Sequence, residues 1–292
     1  MDKLAYDMLK TKLMSMTNVR FQDCIDTIYG IIYEDKYTPV KQKRDKGTDG
    51  LLSSTTSLAI YAPEKYSLAD FKKKTSSDYK KYKNNWQINY PSWNVITNKE
   101  NTGEMLLHVK GLYEKADLIS VTSICDSIRN QSWSKIARIF KALELPDYYL
   151  SYDVFSMIID DITSDDGSDL DYSRPIYIKD KIDLNITDEE IREAFLIEYE
   201  EYFEKFQVLQ KILSRFDTGK VLALRSKINM TYQSLRGNFI QKLSSLVSIL
   251  SQGRENDDYY QSHVRIIIFY FFEQCLIGKK TESELNHATP RN

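Results

Sequence analysis

Apolar residues recur at spacings of three and four at Phe21, Cys24, Ile25 and Ile28, giving one hydrophobic face to a helix from about Asn18 to Tyr33. The period then changes. Tyr37 to Val40 reads as a strand, and the turn at Gly47 and Asp49-Gly50 leads into Leu51-Leu52. After a loop at Ser53 to Thr56, the β-rich run Ser57 to Ala62 is stopped by Pro63. Trp93 to Asn98 reads as a third strand, a helix from about Glu104 to Lys115 follows, and Leu118 to Val121 is a further strand. Strands alternating with helices predict an α/β layer whose sheet is partly parallel.

Past Pro146 the pattern changes character. Asp160, Asp161, Asp165, Asp166, Asp169 and Asp171 surround Gly167 and Ser168, an acidic stretch that reads as linker or exposed loop. Thr187-Asp188-Glu189-Glu190 reads as a capping box. It opens a stripe of Ile191, Phe195, Tyr199, Tyr202, Phe206, Leu209 and Leu213, heptad-like and about 33 Å long. Leu224, Ile228, Leu235, Phe239, Leu243, Leu246 and Leu250 form a second stripe, and Gln261 to Ile277 a third helix ended by Gly278. The expected organisation is an α/β domain over 1–155, an acidic linker over 156–186, an all-α helical domain over 187–285 and a tail over 286–292.

The chain has 292 residues, 42% of them hydrophobic, enough to bury a substantial core. Its 40 Lys and Arg against 42 Asp and Glu leave a net charge of -2, so any nucleic-acid contact must be local. Cys24, Cys125 and Cys275 lack the spacing of a zinc knuckle or disulfide framework. No secretory signal opens the sequence, and the apolar run Val264 to Ile277 is broken by Arg265, Glu273 and Gln274 and is shorter than the ~20 residues of a membrane span. The expectation is a cytoplasmic protein with no membrane contact. His108, His263 and His287 are too dispersed to suggest a triad, and no Walker-type or GxGxxG loop is present.

Local charge is concentrated between Lys65 and Lys83. Lys72, Lys73, Lys74, Lys80 and Lys81 lie there among Phe71, Tyr79 and Tyr82, opposed only by Asp70 and Asp78. Such a helix is either a solvated face or an electrostatic track for a nucleic-acid backbone with tyrosines free to stack.

The N-terminal order, with the DKGTDG turn at Asp45 to Gly50, the YAPE string at Tyr61 to Glu64, the lysine-rich helix and the Trp93 to Asn98 strand, resembles the nuclease-like domains of ABC-three-component anti-phage systems, relatives of Lamassu. Phe269 to Lys279 resembles the YFFExCDIG signature of the helical domain in the same systems. The resemblance implies a restriction-endonuclease-like N-terminal domain of the PD-(D/E)xK type, and an SMC/Rad50-like ABC ATPase and a small third subunit as partners in antiviral defence. In that reading Asp49 is the first catalytic acid and the metal ligand, for Mg2+ or Mn2+, with Asp26 and Glu64 as candidate companions. The lysines would contact DNA, and Tyr202, Phe206, Phe271 and Phe272 would dock the ATPase. Ala59-Ile60-Tyr61 stands where the second acid and the lysine belong. The core is therefore an active or a worn nuclease, and the alternatives are an inert scaffold or a stand-alone metal-dependent DNA endonuclease.

Overall fold

The computed structural model describes residues 1, 3–40, 46–163, 178–274 and 276–279. They fall into two units, Met1–Asp147 and Tyr148–Asn292. The first runs α1 (Lys3–Ser15), α2 (Asn18–Tyr33), β1 (Tyr37–Pro39), β2 (Gly50–Leu52), β3 (Thr56–Tyr61), α3 (Leu68–Asn85), β4 (Ser92–Thr97), α4 (Gly103–Leu112), β5 (Ala116–Ile119), α5 (Val121–Arg129) and α6 (Trp133–Ala142). Its strands form one sheet in chain order. β1, β2 and β3 pair antiparallel, with Gly50 opposite Leu58, whereas β3, β4 and β5 pair parallel, with Ile60 opposite Ile96. The two halves differ because a tight turn, with Ser53 at φ 54°, joins β2 to β3, while parallel neighbours need the crossovers that α3 and α4 supply.

Alternation along the strands sends Ala59, Tyr61, Trp93, Val95, Ala116 and Leu118 to the face covered by α3 and α4, where they pack with Phe71, Tyr82, Met105 and Val109. The intervening Leu58 and Ile96 are also fully buried, so β3 and β4 are covered on both faces. α2 packs on α6 and β1, burying Phe21, Ile25 and Ile28. α3 starts where Ser67 accepts from the backbone N–H of Asp70.

Every regular element described in the second unit is helical: α7 (Tyr148–Ile162), α8 (Ile178–Asn185), α9 (Glu189–Leu213), α10 (Thr218–Ser234), α11 (Phe239–Leu250) and α12 (Asp258–Glu273). The expected linker needs correction. The units divide after Asp147, and Asp160 and Asp161 belong to α7, because Val154, Phe155, Ile158, Ile159 and Ile162 make a buried helical stripe through them. α8 likewise occupies 178–185 and buries Lys181 and Ile182. Asp165, Asp166, Asp169 and Asp171 lie outside the described residues, as does the tail over 286–292. α9 is capped by Asp188, which accepts from Ile191 N–H, and not by Thr187. The second stripe is two helices, since Gly237 at φ 110° breaks it and Asn238 with Gln241 forms a capping box opening α11. α12 ends at Glu273, ahead of Gly278, whose φ is 85°.

Candidate functional site

A cleft of about 740 Å³ opens in the first unit between the start of α2, the end of β3 and the first half of α3. Asn18, Val19 and Gln22 form one wall, Ile60 to Pro63 the floor, and Asp70, Lys73, Lys74 and Ser77 the opposite wall, with Asp49 beside Ile60.

Asp49 is held in place by backbone. Its N–H donates to Leu58 O at 2.7 Å, and its Oδ2 accepts from Ile60 N–H at 2.7 Å. It is therefore laced to β3, and an Asp-Gly hairpin turn is not what this segment forms. The residues before it explain the precision. Thr48 is buried, with its Oγ1 at 2.9 Å from Gly50 O and accepting from Ser57 Oγ at 2.7 Å. Gly47, at φ 91°, lies so close to α3 that a Cβ there would sit 2.5 Å from Lys81 Cβ and 2.8 Å from Asp78 O. Only glycine fits both the backbone angle and the gap. The glycine-rich turn is thus a clamp joining the acid to the lysine helix. Asp45 of the same string lies outside the described residues.

The other expected acids stand apart. Asp26 accepts a short hydrogen bond from the hydroxyl of Tyr37. The Tyr37 ring lies against Gly50, where a Cβ would approach its oxygen to 2.7 Å. Burial raises the Tyr37 hydroxyl pKa well above its ordinary value, and the hydrogen bond and charge of Asp26, then Tyr29 and Asp49, add to it. Asp26 therefore supports the tyrosine behind the Asp49–Gly50 segment and is not among the residues lining the cleft. Glu64 is exposed and accepts from Asn18 Nδ2 at 3.3 Å, also outside the lining. The second carboxylate in the cleft is Asp70, which sequence reasoning passed over; its only sequence signal is its place three residues after the helix-capping Ser67.

Among the described residues no three His, Cys, Asp or Glu side chains gather into a metal-binding group. Asp49 keeps one carboxylate oxygen on Ile60 N–H, and Asp49 and Asp70 are the two carboxylates that line the cleft.

The five expected lysines fall into three settings. Lys73 and Lys74 line the cleft; Lys73 is exposed, while Lys74 pairs with buried Asp78 at 2.5 Å. Lys80 and Lys81 are exposed further along α3. Lys72 lies near His108, whose pKa is held below its ordinary value by burial first and then by that charge. His108 Nε2 is 3.0 Å from Thr75 Oγ1.

The expected docking residues are packed inside the helical unit. Phe206, Phe271 and Phe272 are buried, and half-buried Tyr202 donates to Glu198 Oε1 at 2.9 Å with its ring against Phe269. The three phenylalanines are core: Phe239 packs on Phe272 at 4.9 Å, and Phe206 and Phe271 meet the Tyr270 ring at 5.8 and 5.3 Å. The exposed apolar side chains of α9 are instead Ile191, Ile197 and Phe203. The string Phe269 to Lys279 also has a packing explanation. Buried Lys181 donates to Phe272 O at 2.6 Å at the end of α12, and Gly278 lets Lys279 N–H reach Asn185 Oδ1 at 2.6 Å.

Among the described residues no helix is long and apolar enough to cross a membrane. No protein-family model matches this chain, and no curated protein or solved structure matches it either.

Proposed function

We propose that the first unit is a restriction-endonuclease-like domain that grips a DNA phosphate backbone without cutting it by itself. The whole chain is then a non-ATPase subunit of an anti-phage complex built on an ABC ATPase. The observation that carries this reading is the meeting of Asp49 with Lys73 and Lys74 in one cleft. The order of one helix, three antiparallel strands, a helix and a parallel strand supports the same core. Ala59-Ile60-Tyr61 brings no lysine, but α3 brings two to the same place.

The chemistry is electrostatic. Lys73 meets a phosphate oxygen and releases counterions, while Asp49 keeps β3 and the Gly47 clamp in register. Because Ala59-Ile60-Tyr61 brings neither the second acid nor the lysine, the cleft is assigned no hydrolytic step. The scaffold reading has its own support in Asp49, whose carboxylate is occupied in holding Ile60 N–H.

Binding of duplex DNA to the full chain over a salt series separates the two. Lys74 is unsuited to the test because its removal strands Asp78, so the variant is Lys73→Glu with Lys80→Glu. The grip predicts weaker binding to every sequence and a log–log salt slope shallower by roughly 1.8 for two lost contacts. Equal slopes leave the scaffold. Incubation with Mg2+ or Mn2+ should yield no cleavage, and cleavage abolished by Asp49→Ala would restore the nuclease. In co-purification with the ATPase, Phe203→Lys should lose the partner.

A further inference from the structure

α3 does not end in an ordinary loop. The chain from Trp86 to Pro91 is bound tightly to the unit: Trp86 and Gln87 N–H both donate to Tyr82 O, and Asn89 and Tyr90 N–H both donate to Trp86 O, at 2.8 to 3.2 Å. Buried Tyr82 then donates its hydroxyl to Tyr90 O, and Tyr113 its hydroxyl to Pro91 O, each at 2.7 Å. The rings of Trp86 and Tyr90 meet edge to face at 5.9 Å. At the apex of this fastened loop Ile88 is 97% exposed. An isoleucine in a slack loop can fold back onto apolar neighbours, whereas these hydrogen bonds fasten the chain on either side of this one and leave it in solvent.

Its surroundings select the occupant. The last turns of α3 present exposed Lys80, Lys81 and Lys83 followed by Asn84 and Asn85, with no acid among them. Asp78, the nearest acid on the helix, is buried and paired with Lys74. Glu114, beyond Tyr113, is matched by the adjacent Lys115. An apolar tip beside a cationic helix face suits a polyanion with apolar layers inside it, which describes duplex nucleic acid.

We propose that Ile88 is a wedge that enters a base step of duplex DNA and kinks it, with Lys80, Lys81 and Lys83 holding the flanking phosphates. This rests on the DNA-gripping reading above and adds to it a second contact at the far end of α3 from the cleft lysines. A wedge opens a step without reading its sequence, so flexible pyrimidine–purine steps and pre-opened sites such as a bulge should be preferred.

The test uses the full chain, fluorescence of 2-aminopurine in a duplex and energy transfer between dyes at its ends. The wild type should raise 2-aminopurine emission and shorten the end-to-end distance. Ile88→Ala should abolish both changes and weaken binding to intact duplex about tenfold, yet keep the salt slope and most of the affinity for a bulged duplex. As Ile88 packs on almost nothing, the variant stays folded, and thermal melting checks this. Wild-type binding with both signals absent, or present and unchanged in Ile88→Ala, overturns the wedge while leaving the cleft reading intact. No binding by the wild type at any salt overturns both. If Ile88→Ala binds DNA normally but loses a co-expressed partner subunit, the tip is a protein contact and the proposal fails.

Discussion

The two units bury polar groups for different ends. In the helical unit they complete one another: buried His263 Nε2 lies 3.1 Å from Ser151 Oγ and buried Lys181 closes the end of α12, while the partly exposed pair Arg265 and Glu198 adds two contacts of 2.6 Å. Such networks rigidify a core when every member is satisfied. In the α/β unit the buried polar groups Thr48, Ser57 and Asp78 brace a clamp whose outer surface is left to Asp49, Lys73 and solvent. The contrast separates polar groups that close a core from polar groups that hold a cleft in shape. The buried aromatic residues of α9 and α12 belong to the first setting, and the cleft lined by Asp49 and Lys73 to the second.

The sharpest way to break the comparison is Phe272→Ala. Phe272 is fully buried, so the cavity should cost about 3–5 kcal/mol. All three tryptophans, Trp86, Trp93 and Trp133, lie in the α/β unit. Helical circular dichroism should therefore fall at lower denaturant while tryptophan fluorescence keeps its wild-type midpoint; a common shift would show that the units unfold together. Gly47→Ala comes next, at about 1–3 kcal/mol, because it sets a side chain at positive φ against α3. It should lower the tryptophan midpoint and weaken DNA binding together, whereas loss of stability alone would detach the clamp from the cleft. Tyr37→Phe removes one hydrogen bond to Asp26 and should cost about 1 kcal/mol, read from the same tryptophan transition.

The smallest effect is the response to acid, and its sign differs between units. The folded pKa of His108 is depressed by burial and Lys72, so the unfolded chain takes up the proton first and the α/β unit loses stability as pH falls through about 6.5. Burial raises Glu100, but hydrogen bonds from Lys10 and Thr122 outweigh it, so its contribution is also lost in acid. Glu273 is raised by burial, against which Tyr199 pulls it down, so protonation favours the folded helical unit as pH falls toward the ordinary glutamate range. Between pH 7 and 5 the tryptophan midpoint should fall relative to the helical one; parallel movement would remove the contrast.

Local periodicity was enough for much of the fold. Phe21 to Ile28 marked α2 to its observed bounds, and Pro63 ended the β3 run, because side-chain spacing and backbone restriction act over a few residues. The 148–162 helix was obscured by its charge, since Asp160 and Asp161 sit on the same turns as Ile158, Ile159 and Ile162 and composition outweighed spacing. In the cleft, Asp49 was singled out through the family resemblance of its glycine-flanked turn. Asp70 and Gln22 were not, as each belongs to a helix whose own pattern says nothing of the opposite wall.

By itself the sequence determined the order of strands and helices from α2 to β5, the basic character of α3 and the aromatic stripes, all properties of neighbouring residues. Tertiary structure alone decided which of those features face outward. It turned Phe271 and Phe272 into core, tied Asp26 to Tyr37, brought Lys73 to Asp49 and left Ile88 in solvent. The reason is that exposure and proximity are set by which surfaces the whole chain covers, through contacts between residues far apart in sequence, and no local pattern carries that information.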